Sequence, residues 1–499
     1  MEQSSAVIGS GIGGIASAIR LAVKGYKVSV FEQSHAPGGK LSQLRLGGFR
    51  FDTGPSLFTL PQLVDELFLL CGEEPREHFR YAALDTSCIY FWEDGTRIRA
   101  WKDTEAFSKE VEERTGVPEE KLRGHLDKSR ELYRITADVF LFNSFHKPSR
   151  LLRPPAWKAL TGLHRLDALT TMHRRNQKRF GHPKVVQLFD RYATYNGSNP
   201  YRTPATLNVI AHLEHNMGAW FPEKGMYSIV ESLVALARRQ GVAFIFNSPV
   251  EEVVLRHGRV AGLREGGRFH PFDRVVSDID IVRLYRDLLP GTVLPKKQTR
   301  GERSTSALIF YWGVDRDFRE LGLHNILFSN DYEREFRHLF ETKTLPDDPT
   351  VYVFISSRQV PGDAPAGCSN WYVMINAPEN VGQDWDGLID RTRTDILEKI
   401  RRCLNIDLGP HIVQEAVADP RTIERDTGSY RGSLYGLSSN DRFAAFNRHA
   451  NFSRKFKNLY FAGGSVHPGG GIPLCLASAK IIDQEIPPAN HQKPLTNNQ

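Results

Sequence analysis

The sequence predicts an α/β protein in which a domain with a parallel sheet is combined with a second domain built on its own sheet. Three observations support this. Residues 6–32 alternate as strand, glycine-rich turn, helix and strand, several strand-like runs lie between residues 303 and 375, and a strand at Leu459–Ala462 ends in glycines before a helix. A chain of 499 residues has room for about two to four domains of ordinary size.

The N-terminal unit has the pattern of a dinucleotide-binding β–α–β motif. AVIG (residues 6–9) is a short apolar run typical of a buried parallel strand, and GSGIGG (residues 9–14) follows it. In such a turn Gly9 permits the sharp bend, Gly11 lets the backbone approach a pyrophosphate, and Gly14 lets helix and strand pack closely. The N-terminus of the following helix would face that pyrophosphate with its partial positive charge.

Two further features extend the nucleotide site. Glu32 ends the second strand, where its carboxylate can accept hydrogen bonds from ribose hydroxyls and repel a 2′-phosphate. Pro37-Gly38-Gly39-Lys40 then brings a second glycine pair, whose backbone can run close to the cofactor while Lys40 faces phosphate. The alternative for this second pair is a plain turn.

The order of predicted elements divides the chain. Helix 225–240 and strands between 242 and 280 return to the nucleotide-binding domain, whereas the runs SALIFYWGV, TVYVFISS and NWYVMINA belong to a second sheet. We assign residues 1–75, 225–285 and 430–486 to the nucleotide-binding domain. Residues 76–224 and 286–429 form the substrate domain, and the polar tail 487–499 is expected to be loose.

Composition excludes several classes of protein. The five cysteines form no CxxC pair, which argues against a disulfide framework and a cysteine zinc site and favours a reducing cytoplasm. The net charge of +7 is spread without a long Lys/Arg run, so nucleic-acid binding is not expected. The N-terminus shows no signal-peptide pattern, and no apolar run reaches the ~18–20 residues that a spanning helix needs.

Any membrane contact is therefore expected to be peripheral. Segment 140–165 mixes phenylalanine, leucine and tryptophan with lysine and arginine, as an interfacial segment does when it meets acyl chains and anionic headgroups. The alternative is a helix pair with one core face and one solvated face.

Three distant segments carry a resemblance to a family. VIGSGIGGIASAIRLAVKGYKVSVFE, PGGK with FDTGP, and FAGGSVHPGGGIP resemble the bacterial phytoene-desaturase-type carotenoid desaturases within the FAD-dependent amine-oxidase-like superfamily. FDTGPSLFTLPQLVDELF, QLFDRYATYNGSNPY and EHNMGAWFPEKGMYSI are most similar to flavobacterial 1-hydroxycarotenoid 3,4-desaturases. The resemblance implies a glutathione-reductase-like, Rossmann-type FAD-binding domain with an inserted substrate domain of mixed sheet plus helices.

The resemblance also implies site residues. FAD would be bound by Gly9, Gly11, Ile12, Gly13, Gly14, Glu32, Gly38, Gly39, Lys40, Val250, Gly463, Gly464, Gly471, Ile472 and Pro473. Many relatives place Asp or Glu where this chain has Gly464, so the contact to the ribityl chain must come from elsewhere. Arg191, Tyr195 and Asn196 are candidates to meet a terminal hydroxyl of the substrate, and an ordinary helix end is the alternative for each. His467 either tunes the flavin or is structural.

The implied activity is removal of two hydrogens from the C-3,4 bond of a 1-hydroxylated carotenoid such as 1′-hydroxy-γ-carotene, taken from the bilayer at the cytoplasmic face of the inner membrane. FAD would take one hydrogen as a hydride. No metal is expected, because HLEH (residues 212–215) lacks the HExxH arrangement. Another carotene desaturase, a redox-neutral carotene isomerase and a non-redox prenyl- or lipid-binding protein remain alternatives. The electron acceptor, quinone or oxygen, and the oligomeric state stay open.

Overall fold

The computed structural model describes residues 3–137, 141–144, 146–147 and 166–489. Most of segment 140–165 and of the tail 487–499 lies outside these residues. The strands are β1 Ser4–Ile8, β2 Lys27–Phe31, β3 Ser42–Leu46, β4 Phe49–Thr53, β5 Tyr81–Ala83, β6 Thr86–Phe91, β7 Arg97–Trp101, β8 Trp220–Pro222, β9 Ala243–Ile245, β10 Val250–Arg256, β11 Arg259–Glu265, β12 Arg268–Pro271, β13 Arg274–Ser277, β14 Ser306–Val314, β15 His324–Leu327, β16 Val351–Phe354, β17 Ser369–Ala377, β18 Ile412–Ala418 and β19 Leu459–Phe461.

Helices cover these sheets. The longer helices are α1 Ile12–Val23, α2 Gln62–Leu70, α3 Thr104–Thr115, α4 Glu119–Thr136, α5 Met172–Phe180, α6 Pro183–Asp190, α7 Ser228–Arg239, α8 Trp385–Leu404, α9 Pro420–Thr427 and α10 Ile472–Asp483. Shorter α-helical segments are Pro75–His78, Val209–Ala211, Ile281–Arg283, Lys296–Arg300, Tyr332–Arg337 and Ala444–Asn447. In the described part of the chain, no helix is both long and apolar enough to span a bilayer.

The first large sheet is parallel and has the order β19-β13-β1-β2-β9. Its central strand β1 is buried from Ser5 to Ile8, with Val7 paired to Val30 and Val276, and α1 covers it with Ile15 and Ile19. Parallel strands end at one edge, and ligands of such sheets bind beyond the carboxyl ends. The segments that follow β1, β2, β13 and β19 therefore all begin at the same edge of the sheet.

The second large sheet is mixed, in the order β18-β14-β17-β16-β15-β6-β7, with β15 parallel to β6 and the other pairs antiparallel. Alternation of side chains gives it two different faces. Phe310, Trp312 and Trp371 pack in one core with Trp385 and Ile396 of α8. The opposite face turns toward the edge of the parallel sheet and lines a cavity. The expected fold, a Rossmann-type FAD-binding domain with an inserted mixed-sheet substrate domain, is confirmed.

Candidate functional site: a dinucleotide cradle joined to an apolar cavity

The glycine turn after β1 lets the N-terminus of α1 pack close to the end of the strand. Gly9 has φ +92°, a left-handed conformation that glycine adopts without strain. An ideal Cβ on Gly14 would lie 2.2 Å from the carbonyl oxygen of Gly9, so only glycine lets α1 sit this close to the strand. Gly11 is the N-cap of α1 and has no capping side chain, and the first turn of the helix carries no acidic residue. This arrangement fits a pyrophosphate.

Glu32 lies directly beside this turn. Its carboxylate accepts hydrogen bonds from the backbone N–H and hydroxyl of Ser10, at 2.8 and 2.7 Å, and from the backbone N–H of Ser34 at 2.8 Å. These bonds fix a buried carboxylate at the carboxyl end of β2, where it lines the cavity together with Val250, the first residue of β10. The position suits an acceptor for ribose hydroxyls.

The second glycine pair packs against the first. The backbone N–H of Gly38 donates to the carbonyl of Ser10 at 2.8 Å, and Gly38 and Gly39 have φ of +118° and +58°. Lys40 donates from Nζ to the carbonyl of Leu434 at 2.7 Å. Burial lowers the pKa of Lys40, although Asp280 and Asp278 act in the opposite direction. Lys40 therefore lines the cavity but is held by a backbone carbonyl.

The C-terminal glycines lie on the other side of the same space. We call the glycines of residues 9–14, 38–39 and 463–471 together the glycine cradle. Gly463 has φ +90° and donates its N–H to the hydroxyl of Ser478 at 3.0 Å. A Cβ on Gly13 would lie 2.9 Å from the Gly463 nitrogen, and one on Gly464 would lie 3.1 Å from the Cα of Gly470. Gly471, with φ +103°, is the N-cap of α10, which continues with Ile472 and Pro473. Glycines from opposite ends of the chain thus meet around one space.

This space is a cavity of about 1720 Å³ that continues from the glycine cradle onto the open face of the mixed sheet. Ile309 and Tyr311 of β14 and Tyr372 and Met374 of β17 line it beyond the cradle. From β18 to β6 the lined face spans five strand spacings of about 4.8 Å, or about 24 Å. FAD fits the glycine cradle, the N-terminus of α1 and the carboxylate of Glu32. The apolar part of the cavity beyond them leaves room for a second, long molecule.

Sequence reasoning missed Asp278, which follows β13. Its two carboxylate oxygens lie 2.5 Å from the ideal Cβ positions of Gly11 and Gly13, and it accepts a hydrogen bond from the N–H of Gly14. Burial raises the pKa of Asp278 to about 7, with Glu32 acting in the same direction. A signal was available, because an acid at the end of a predicted parallel strand repeats the pattern of Glu32.

At the β6 side of the cavity lies a network centred on Glu214. Arg191 donates to Glu214 at 3.1 Å, to the hydroxyl of Tyr90 at 2.6 Å and to the hydroxyl of Tyr195 at 3.0 Å. Tyr195 in turn donates to Glu214 at 2.6 Å. Arg191 and Tyr195 also line the cavity, so both predicted residues reach its wall. Glu214 belongs to HLEH, and its carboxylate accepts a hydrogen bond from Arg191.

Asn196 and His467 lie in a different part of the wall. Asn196 donates to the hydroxyl of Ser439 at 2.5 Å and accepts from Arg448 at 3.0 Å, so both ends of its amide are engaged. Nε2 of His467 bonds the carbonyl of Asn143 at 3.0 Å, which makes that nitrogen the donor. Burial lowers the pKa of His467 to about 3, so its imidazole is neutral at physiological pH.

Comparison with known proteins agrees with this geometry. A model of the flavin-containing amine oxidoreductase family matches residues 12–482. A 1-hydroxycarotenoid 3,4-desaturase from Flavobacterium sp. is 47% identical over 97% of this chain and 99% of its own length. A phytoene desaturase from Fusarium fujikuroi is 30% identical over 97% and 89% of the two chains. In structure, an oxidoreductase from Methanosarcina mazei superposes with a TM-score of 0.61, at 14% identity, over 97% of this chain and 100% of its own.

Proposed function

This chain belongs to the family of flavin-containing amine oxidoreductases, and we propose that it introduces a C-3,4 double bond into the 1-hydroxylated acyclic end of a carotenoid. It is an FAD-dependent oxidoreductase. The observation that carries the proposal is the single cavity that joins the glycine cradle to an apolar sheet face. The 1-hydroxycarotenoid 3,4-desaturase that matches nearly the whole chain supports the same substrate class.

The wall of the cavity suits a long, uncharged polyene. Tyr311 and Tyr372 meet edge to face at 5.6 Å between ring centroids, and Tyr352 meets Tyr372 in the same way at 6.3 Å. The Tyr352 hydroxyl, in turn, shares hydrogen bonds with Ser56 and His324, so it does not present an unmatched polar atom to an apolar ligand. Aromatic and aliphatic side chains of this kind bury a long apolar ligand and hold its orientation.

The reaction removes one hydrogen with its electron pair and a neighbouring one as a proton, so that a carbon–carbon single bond becomes a double bond. FAD, when bound, supplies the acceptor for the hydride. The protein has to hold the C3–C4 bond beside the flavin, with the 1-hydroxyl two carbons away from it, and keep water out. The described wall residues serve this purpose, since the sheet face is apolar and His467 is a neutral hydrogen-bond donor.

We assign recognition of the terminal hydroxyl to Tyr195, positioned by Arg191 and Glu214. The Tyr195 hydroxyl already donates to Glu214 and accepts from Arg191, so a remaining lone pair can accept from a substrate hydroxyl. Asn196 suits this role less well, because its amide bridges Ser439 and Arg448. A site that bonds a substrate hydroxyl discriminates strongly against the analogue without it.

The test supplies purified holoenzyme with carotenes that carry or lack the 1-hydroxyl group. Wild type should convert the hydroxylated substrate to a product with one more conjugated double bond and red-shifted absorption. Tyr195→Phe should prefer the hydroxylated substrate over the analogue without the hydroxyl at least tenfold less than wild type does. Tyr285→Phe is a matched control, since its hydroxyl contacts His449 and its side chain does not line the cavity.

Three results would redirect the proposal. Equal conversion of both substrates by wild type would favour a general carotene desaturase, such as the phytoene desaturase that also matches the chain. A change of geometry without loss of two hydrogens would indicate an isomerase. A colourless protein that takes up no FAD would favour a lipid-binding protein.

We further propose peripheral contact with the inner membrane from its cytoplasmic side, at the mouth of the cavity. Phe443 and Phe446 are more than half exposed beside Arg442, and Arg442 and Phe446 line the cavity. The basic segment Lys296–Arg300 (KKQTR) lies next to these aromatic residues, since Lys297 donates a hydrogen bond to the side chain of Asn447 at 3.2 Å. Exposed aromatic rings beside cations suit an anionic bilayer surface.

Sedimentation with vesicles tests this surface. Phe443→Glu should reduce binding to vesicles containing an anionic lipid by at least fivefold, whereas Leu69→Glu, at an exposed leucine of α2, should leave it unchanged. Equal loss in both variants, or no loss in either, would contradict the assignment of the surface.

A further inference from the structure

Arg448 is a buried cation whose bonding partners are all neutral. Its side chain is 4% exposed and lies on the wall of the cavity. The guanidinium donates to the carbonyls of Tyr435 and Leu437, at 2.9 and 3.1 Å, and to the side-chain oxygen of Asn196 at 3.0 Å. These bonds fix its position but supply no negative charge.

Several other buried arginines in the described residues form ion pairs. Arg50 pairs with Asp52 and Asp363, and Arg191 pairs with Glu214. Arg303 and Arg274 are buried without an ion pair among the described residues and lie over the rings of Tyr430 and Tyr26, but neither lines the cavity. Within the described part of the chain, Arg448 has no carboxylate within ion-pair distance. Burial lowers its pKa to about 10, so it still carries a positive charge at neutral pH.

An uncompensated buried charge is costly, and on the wall of a ligand cavity a bound ligand can supply the opposite charge. The guanidinium carbon of Arg448 lies 3.3 Å from the ideal Cβ position of Gly469, in the segment between His467 and the N-cap of α10. The family resemblance places Gly471, at the end of this segment, among the FAD-binding residues, and we expect the segment to lie beside the isoalloxazine ring of FAD. His467 is neutral here and brings no competing charge.

The expected substrate has no charge, and the FAD pyrophosphate is expected at the glycine turn of residues 9–14, so the flavin ring is the remaining source of negative charge for Arg448. Transfer of a hydride delivers two electrons and one proton to the flavin, which leaves it with one more negative charge unless a second proton is taken up. We propose that Arg448 is the fixed counter-charge of the reduced flavin and favours reduction by holding that charge. The proposal rests on FAD binding alone and not on which carotenoid is the substrate.

The experiment measures the two-electron midpoint potential of the holoenzyme as a function of pH. In Arg448→Met, the equilibrium between oxidised and reduced flavin should favour the reduced form at least tenfold less than in wild type. The midpoint potential should therefore be lower by at least about 30 mV. The pH below which the reduced flavin takes up its second proton, followed by the absorbance of the reduced holoenzyme, should rise in the same variant. Arg448→Lys keeps the charge and should stay near wild type.

Arg303→Met is the control, because Arg303 is equally buried but does not line the cavity. An unchanged potential in Arg448→Met, or an equal shift in Arg303→Met, would overturn the proposal. So would a wild-type enzyme whose reduced flavin is already neutral at neutral pH, a measurement that needs no variant. Because these readouts are properties of the flavin, they hold even if the carotenoid assignment fails.

Discussion

Substitution of Glu214 by glutamine tests whether the polar network beside the cavity is held together by charge. Glu214 is 3% exposed, and its carboxylate accepts from Ser87 at 3.0 Å, from Tyr192 at 3.1 Å, and from Arg191 and Tyr195. Glutamine keeps the shape of the side chain but turns one acceptor into a donor and leaves Arg191 buried without an ion pair. We therefore expect Glu214→Gln to be strongly destabilising.

The pKa of Glu214 gives the magnitude. Burial alone would raise it, but Arg191, with smaller contributions from His215 and Tyr195, lowers it from 4.5 to about 2. A lowering of this size corresponds to about 3 kcal/mol of folding free energy. That contribution is complete above the unfolded-state pKa and is lost as pH falls through 4.5 toward 2. Breaking a buried ion pair from one side typically costs about 3–5 kcal/mol, which agrees.

The assay is a double-mutant cycle at neutral pH with denaturant unfolding. Glu214→Gln should lose about 3 kcal/mol, and adding Arg191→Met should restore part of it, because the unpaired charge is then removed. Strict additivity of the two changes, or wild-type stability of Glu214→Gln, would show that the network is not stabilised by the ion pair.

Further predictions concern the glycine cradle, Asp278 beside it and the buried His125. Gly14→Val should abolish FAD binding, measured as the ratio of flavin to protein absorbance, because its Cβ would lie 2.2 Å from the Gly9 carbonyl oxygen. Gly362→Ala is the control, since a Cβ there would have no neighbour within 4 Å. A Gly14→Val protein that still contains flavin would contradict the assignment of these glycines to the FAD site. Since Asp278 has a pKa of about 7 beside the glycine turn, wild-type affinity for FAD should weaken as pH rises through that value, while Asp278→Asn binds with little pH dependence. Fluorescence titration of the apoprotein measures this, and a flat wild-type profile would refute it. Burial lowers the pKa of His125 to about 3, so protonation favours the unfolded state and stability falls below pH 6.5. His125→Leu should reduce the stability lost between about pH 7.5 and about pH 5 by about 2 kcal/mol, measured by denaturant unfolding, and an unchanged pH dependence would contradict a neutral buried imidazole.

The sequence alone determined the features that depend on local chain geometry. The turn at residues 9–14, the acid at Glu32 and the glycines from 463 to 471 are all where the structure has the cradle, because glycine conformations and strand ends are encoded over a few neighbouring residues. Gly25 is a further local feature of this kind, since it has φ +84° directly after the C-cap of α1 at Lys24, where a left-handed glycine ends the helix.

Only the tertiary structure decided which polar residues act together. Arg191 and Glu214 are 23 residues apart, and the sequence shows them as part of a helix end and of an incomplete zinc motif, yet in the structure they form one ion pair. Arg448 sits in a segment with no motif, and Asp278 meets glycines that precede it by more than 200 residues. The physical reason is that burial and pairing of a charge are properties of the folded surroundings, which long-range contacts create and no local pattern records.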